Sequence, residues 1–141
     1  MLVSLWSSQC YAQTSQIELF AVANKSGAPE QMTMENLTRA LKGQKIKWSD
    51  GSSVYVALMK PKTASGTVIS RRIFNMTPDD VSKYWLAMVF QGRIRAAKFF
   101  NEESDLIKYV MQTKGAIGVI PSENQAGSNI RIIIIDGSEY L

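Results

Sequence analysis

The chain has 141 residues, a net charge of +4 and a pI near 9.3, which suits one domain with a sizeable core and not two. Hydrophobic residues make up 45% and charged residues 20%, a balance that excludes a disordered or membrane-embedded chain. Histidine is absent and Cys10 is the sole cysteine, which removes the commonest general base, the commonest transition-metal ligand and any internal disulfide.

Met1 to Ala12 is uncharged, with a short apolar run Leu2-Val3-Ser4-Leu5-Trp6. Cys10 and Ala12 fit the small-x-small rule for signal cleavage, although no positive segment precedes the run. The expectation is a signal-peptide remnant over 1–12, export, and a single mature domain over 13–141.

Ile17 to Ala23 reads as a short apolar strand, broken by Asn24-Lys25-Ser26-Gly27-Ala28-Pro29. Thr33 caps a helix whose apolar positions Met34, Leu37 and Leu41 recur with helical spacing, and Lys42-Gly43 ends it. Trp48-Ser49-Asp50-Gly51 is a turn. Ser53 to Met59 is a strand apolar on both faces, which belongs in a sheet covered by helices. A helix opens around Ser65-Gly66-Thr67 and runs through Ile69, Ile73 and Met76. Thr77-Pro78-Asp79-Asp80 starts another, with a cap, a first-position proline and two acids. Val81, Tyr84, Trp85, Met88 and Val89 form its apolar stripe, and Gln91-Gly92 closes it.

Arg93 to Phe100 is ambiguous. A fourth helix carries Leu106, Ile107, Val110 and Met111 and stops at Lys114-Gly115. Ala116 to Ile120 is a buried strand ended by Pro121, a polar loop covers Ser122 to Ser128, and Ile130 to Ile135 is the last strand. Strands alternating with helices imply an α/β domain of three layers, with a mostly parallel sheet flanked by helices.

The stretch Thr63-Ala64-Ser65-Gly66-Thr67 carries the functional reading. A helix N-terminus presents unpaired N–H groups and a positive dipole end, so it favours anions. Ser65 and Thr67 add hydroxyl donors, Gly66 permits close approach to the backbone, and Arg71 adds a forked cation further along. The competing reading is an ordinary capped helix, with Ser65 as the cap. Ligands of such sheets bind beyond the carboxyl ends of the strands, where this helix begins.

Phe20-Ala21-Val22-Ala23-Asn24-Lys25-Ser26, Met34-Glu35-Asn36-Leu37 with Leu41-Lys42-Gly43, and Trp48-Ser49-Asp50-Gly51-Ser52 occur in that order. They are followed by Ser65-Gly66-Thr67, Arg71 with Phe74, Tyr84-Trp85, Phe90-Gln91-Gly92 and Gly115-Ala116-Ile117-Gly118-Val119. Together these resemble the phosphate-binding proteins of ABC transporters, from about Ile17 to Pro121. The resemblance implies one lobe of a type-2 periplasmic binding protein, located in the periplasm, with phosphate or a similar small oxyanion as ligand. It also implies an ABC permease or a second lobe-bearing protein as partner, and no cofactor. The family's Ser-Gly-Thr turn maps onto Ser65, Gly66 and Thr67. Its longer members place an arginine where this chain has Pro61, leaving Lys60 or Lys62 as point charges. Arg71 matches an arginine of short single-lobe relatives.

Other readings rank lower. Asp79-Asp80 and Glu102-Glu103 with Asp105 sit at helix starts, where carboxylates complement the dipole, so paired acid–base catalysis is not expected. The sixteen basic residues are scattered, and Lys42, Lys45 and Lys47 read as solvated surface rather than a nucleic-acid groove. Trp48, Tyr84, Trp85, Phe90, Phe99 and Phe100 read as core, and a cleft position for Arg93 or Arg95 is a minor alternative. The main alternative function is a non-catalytic periplasmic adaptor that has lost solute binding. For that reading Ile132-Ile133-Ile134-Ile135, if at a sheet edge, offers a homodimer contact.

Overall fold

The computed structural model describes residues 17–92, 95–122 and 129–141. The leader expected over 1–12, Arg93 and the loop 123–128 lie outside the described residues.

The elements in order are β1 (Phe20–Asn24), β2 (Gln31–Met32), α1 (Met34–Leu41), β3 (Tyr55–Met59), α2 (Ala64–Arg72) and α3 (Pro78–Phe90). β4 (Lys98–Phe100), α4 (Glu103–Gln112), β5 (Ala116–Ile120), β6 (Ile130–Ile132) and β7 (Ile134–Ile135) follow. The main sheet has five strands in the order β4-β3-β5-β1-β6. β3 pairs parallel with β4 and β5, while β1 pairs antiparallel with β5 and β6, so β1 alone runs against the others. β2 and β7 form a separate two-stranded parallel sheet.

All residues of β1 and β5 are buried, a pattern that requires cover on both faces of the sheet. On one face Leu106 of α4 lies against Gly118 and Ala57. Val56 and Leu58 point the other way by strand alternation and are also buried, and α2 packs on β3 with α3 against it. This is the expected α/β arrangement, a mostly parallel sheet flanked by helices. Among the described residues no helix is long and apolar enough to cross a membrane.

Capping chemistry fixed several boundaries as expected. Thr33 Oγ1 accepts from the Asn36 N–H at 3.1 Å to start α1, and Thr77 Oγ1 accepts from the Asp80 N–H at 3.2 Å to start α3. Other expectations need correction. α2 is capped by Thr63 and not Ser65, because Thr63 Oγ1 accepts from the Gly66 N–H at 3.0 Å. The helix ends at Arg72, short of Met76, and Asn75 turns the chain at φ 52°. Asparagine is one of the few residues that tolerates this conformation.

The isoleucine run is not one strand. Ile130–Ile132 pairs with β1 as an edge strand of the main sheet, whereas Ile134–Ile135 pairs with β2. Between them Ile133, fully buried, donates its N–H to Ala21 O at 2.8 Å, and Ile134 donates to Glu30 O at 2.9 Å. The isoleucine run thus hands over from one sheet to the other at Ile133. Arg131 helps hold this corner, donating to Ala28 O at 2.7 Å and to Glu30 Oε1 at 3.1 Å.

Trp48 and Trp85 are buried, and Tyr84, Phe99 and Phe100 pack partly buried against the core. Phe90 departs from the core reading, since it is 82% exposed, with Leu86 and Val89 beside it on the outer turn of α3. Val89 therefore leaves the expected stripe.

Candidate functional site

β3 ends at Met59, and the turn Lys60–Thr63 leads directly into α2. Lys60 N–H donates to Phe100 O at 2.8 Å, anchoring the turn to the end of β4. Thr63 then closes it, its N–H donating to Lys60 O at 2.9 Å and its hydroxyl to the same oxygen at 2.7 Å. The helix tip so positioned lies at the carboxyl end of a parallel strand, the location expected for a ligand of such a sheet.

The groups at the tip divide into spent and free. The Gly66 N–H is taken by Thr63 Oγ1, and the Thr67 N–H donates to Thr63 O at 2.9 Å. The Thr67 hydroxyl lies within hydrogen-bond reach of Pro61 O at 3.1 Å and Thr63 O at 3.0 Å. Gly66 is buried, and a Cβ there would lie 1.9 Å from Lys60 O, so the chain's own turn accounts for this glycine. What remains free among the described residues is the N–H of Ala64, the N–H of Ser65 and the half-buried Ser65 hydroxyl.

The structure does not bring Arg71 to this tip. It lies in the last turn of α2, exposed, beside a depression shared with Asn75, Thr77 and Asp80. Six residues of helix separate it from Ser65, about 9 Å along the axis. Lys60 and Lys62 are exposed at the turn, and Lys62 Nζ stands 3.8 Å from Asp79 Oδ1. Arg95 is at the opposite end of the sheet, its guanidinium 4.4 Å from the Tyr55 ring centroid.

Hydrogen bonds from the Ser52 hydroxyl and N–H hold the exposed Asp50 carboxyl below its usual range. Burial raises the phenols of Tyr84 and Tyr109, and Tyr84 donates to Lys42 O at 2.6 Å. Among the described residues no group of three or more acidic, cysteine or histidine side chains is placed to hold a metal ion.

Sequence reasoning missed Thr63 as the cap, although a threonine whose hydroxyl can accept from the N–H three residues on is a readable signal. It read Lys45 as solvated surface and kept Arg95 only as a minor cleft alternative, and the fold brings the two to one cleft. No local pattern announces that, because they meet through the register of β3 with β4.

No family model matches the sequence, and no curated protein matches it. Solved structures do. An ABC-type phosphate transport receptor from Vibrio cholerae superposes with a TM-score of 0.62 at 17% identity, over 88% of this chain and 48% of the receptor. PstS from Borrelia burgdorferi gives a TM-score of 0.66 at 15% identity, over 86% of this chain and 48% of that one. A putative phosphate ABC transporter substrate-binding protein with bound phosphate, from Clostridium perfringens, gives 0.61 at 14% identity, over 86% and 46%. The chain spans about half the length of these receptors. It therefore has the fold of a single lobe of a PstS-like periplasmic binding protein.

Proposed function

We propose that this chain is a periplasmic oxyanion-binding lobe, linked to phosphate ABC transport, which holds phosphate weakly at the tip of α2. The observation that carries the reading is the pair of free N–H groups, Ala64 and Ser65, at the carboxyl end of β3 in a receptor-lobe fold. The Ser65 hydroxyl supplies a third donor, and Lys60 a nearby cation. Gly66 and Thr67 serve by shaping the tip. Arg71 contributes long-range charge rather than a direct contact. A permease or a second lobe-bearing protein is the partner that would complete the site. The reading assigns no reaction to the chain.

The affinity follows from the geometry. Exposed charged contacts contribute about 0–1 kcal/mol each, and the helix dipole about 0.3–1 kcal/mol. A few such contacts reach at most about 4 kcal/mol, which corresponds to a millimolar Kd. Phosphate titrated into the isotopically labelled chain should shift the Ala64 and Ser65 amide resonances with a Kd near ~1 mM. Ser65→Ala should weaken it several-fold. Silence of both amides, or submicromolar binding by a monomer, would overturn the proposal.

A second reading, the non-catalytic adaptor, is favoured by the loss of the Gly66 and Thr67 N–H groups to the cap and by the exposure of Phe90. A phosphate-blind chain that dimerises in light scattering would support it over solute capture.

A further inference from the structure

At the end of β3 opposite to α2, a cleft of about 370 Å³ opens between the ends of α1 and α3. The two ends of β3, Tyr55 and Met59, are about 13 Å apart at roughly 3.3 Å per residue. The floor is apolar, made by Val54 and Val56, both buried. Ile46 forms one wall and is 63% exposed. The lip is braced, since Val54 N–H donates to Ile46 O at 3.0 Å and Lys47 bridges to Ser53. Lys45 and Arg95 also line the cleft, and among the described residues no acidic side chain does. The Arg95 guanidinium lies over the Tyr55 ring, 4.4 Å from its centroid, a cation–π contact that holds it at the cleft. Neither cation takes part in an ion pair among the described residues. Arg39 and Lys47, in an adjoining depression with Lys45, extend the positive field.

We infer that this cleft binds a small amphiphilic anion, a molecule with one phosphate, carboxylate or sulfonate head on an apolar chain or ring. The volume falls within the range of small-molecule pockets, and an apolar floor under a few convergent polar groups is their usual make-up. The head sits between Lys45 and Arg95, and the body covers Val54, Val56 and Ile46. Gly43 and Gly92, which end α1 and α3, also line the cleft. The carbonyl ends of those helices oppose a bare anion. Apolar contact must therefore supply much of the affinity, which separates this ligand from the inorganic oxyanion of the α2 tip.

The test is a titration of the isotopically labelled full chain with octyl phosphate below its micelle concentration. Inorganic phosphate and the uncharged octyl glucoside serve as comparisons. The amides of Gly43, Ile46 and Gly92 should shift with octyl phosphate and stay silent with inorganic phosphate, while Ala64 and Ser65 report the other site separately. Arg95→Gln and Lys45→Gln should each weaken octyl phosphate about fivefold, the loss of one exposed charge contact. Lys45→Gln changes only the exposed lip and keeps the test open if Arg95→Gln folds poorly. Equal shifts with octyl glucoside, unchanged affinity in a folded Lys45→Gln, or silence of all three amides would overturn the inference.

Discussion

Replacing Gly66 by alanine separates two reasons for having a glycine at the third position of α2. If the glycine only lets an oxyanion approach the backbone, alanine should stabilise the helix by about 1 kcal/mol and impair binding alone. The structure says otherwise. The new Cβ would stand 1.9 Å from Lys60 O, 2.7 Å from Lys60 C and 2.8 Å from Thr63 Oγ1. Both Lys60 atoms are backbone, so the turn must retreat by about 1 Å or more to restore van der Waals separation. That oxygen accepts from the Thr63 N–H and hydroxyl, and the Lys60 N–H ties the turn to β4. Overpacking costs about 1–3 kcal/mol, and each disturbed hydrogen bond about 1 kcal/mol. After the propensity gain, the net destabilisation is about 2–3 kcal/mol, or roughly 6–10 °C in Tm for a chain of this size. Urea unfolding followed by circular dichroism, with wild type and Gly66→Ala side by side, measures it. A Gly66→Ala protein as stable as wild type would refute the packing account of this residue.

Asn24 is buried, and its amide donates to Val110 O at 2.9 Å and Met111 O at 3.1 Å while its Oδ1 accepts from the Ser26 N–H at 2.8 Å. Asn24→Asp turns a carboxylate onto two carbonyls and should cost about 3 kcal/mol or more at neutral pH. The folded-state pKa of that aspartate is raised, so the loss should shrink as pH falls from neutral through it toward the unfolded value; stability independent of pH in the variant would contradict this. Tyr84, whose phenol is raised above 10.0 by burial, binds its proton more tightly in the folded state. Its contribution is whole below pH 10.0 and is lost as pH climbs through the raised value. Tyr84→Phe should flatten the alkaline unfolding curve while lowering stability at neutral pH by about 1 kcal/mol through the orphaned Lys42 carbonyl. An unchanged alkaline limb would place the sensitivity elsewhere.

Much of the fold was legible because it rests on local chemistry. Thr33 and Thr77 cap helices by bonds three residues away, and Gly43, Gly92 and Gly115 end helices or turns at positive φ. The doubly apolar strand expected over Ser53 to Met59 announced a covered sheet, and the ordered motifs from Phe20 to Val119 pointed to the receptor lobe. The cap of α2 was misplaced by two residues because Thr63 and Ser65 are both acceptable caps. Only the turn over Gly66, held by Phe100 from β4, selects between them. The split of Ile130 to Ile135 was equally hidden. All six positions but Arg131 are β-branched isoleucine, so no local signal marks Ile133 as the point of hand-over.

The residues alone determined an α/β fold without histidine side chains, with a helix starting just beyond the carboxyl end of a buried strand. Those properties follow from composition, periodicity and contacts a few residues apart. Tertiary structure decided which tip donors are free and that Lys45 and Arg95 share a cleft. Each of these depends on strand register and on a turn folding over a glycine, relations between residues that the linear order leaves unspecified.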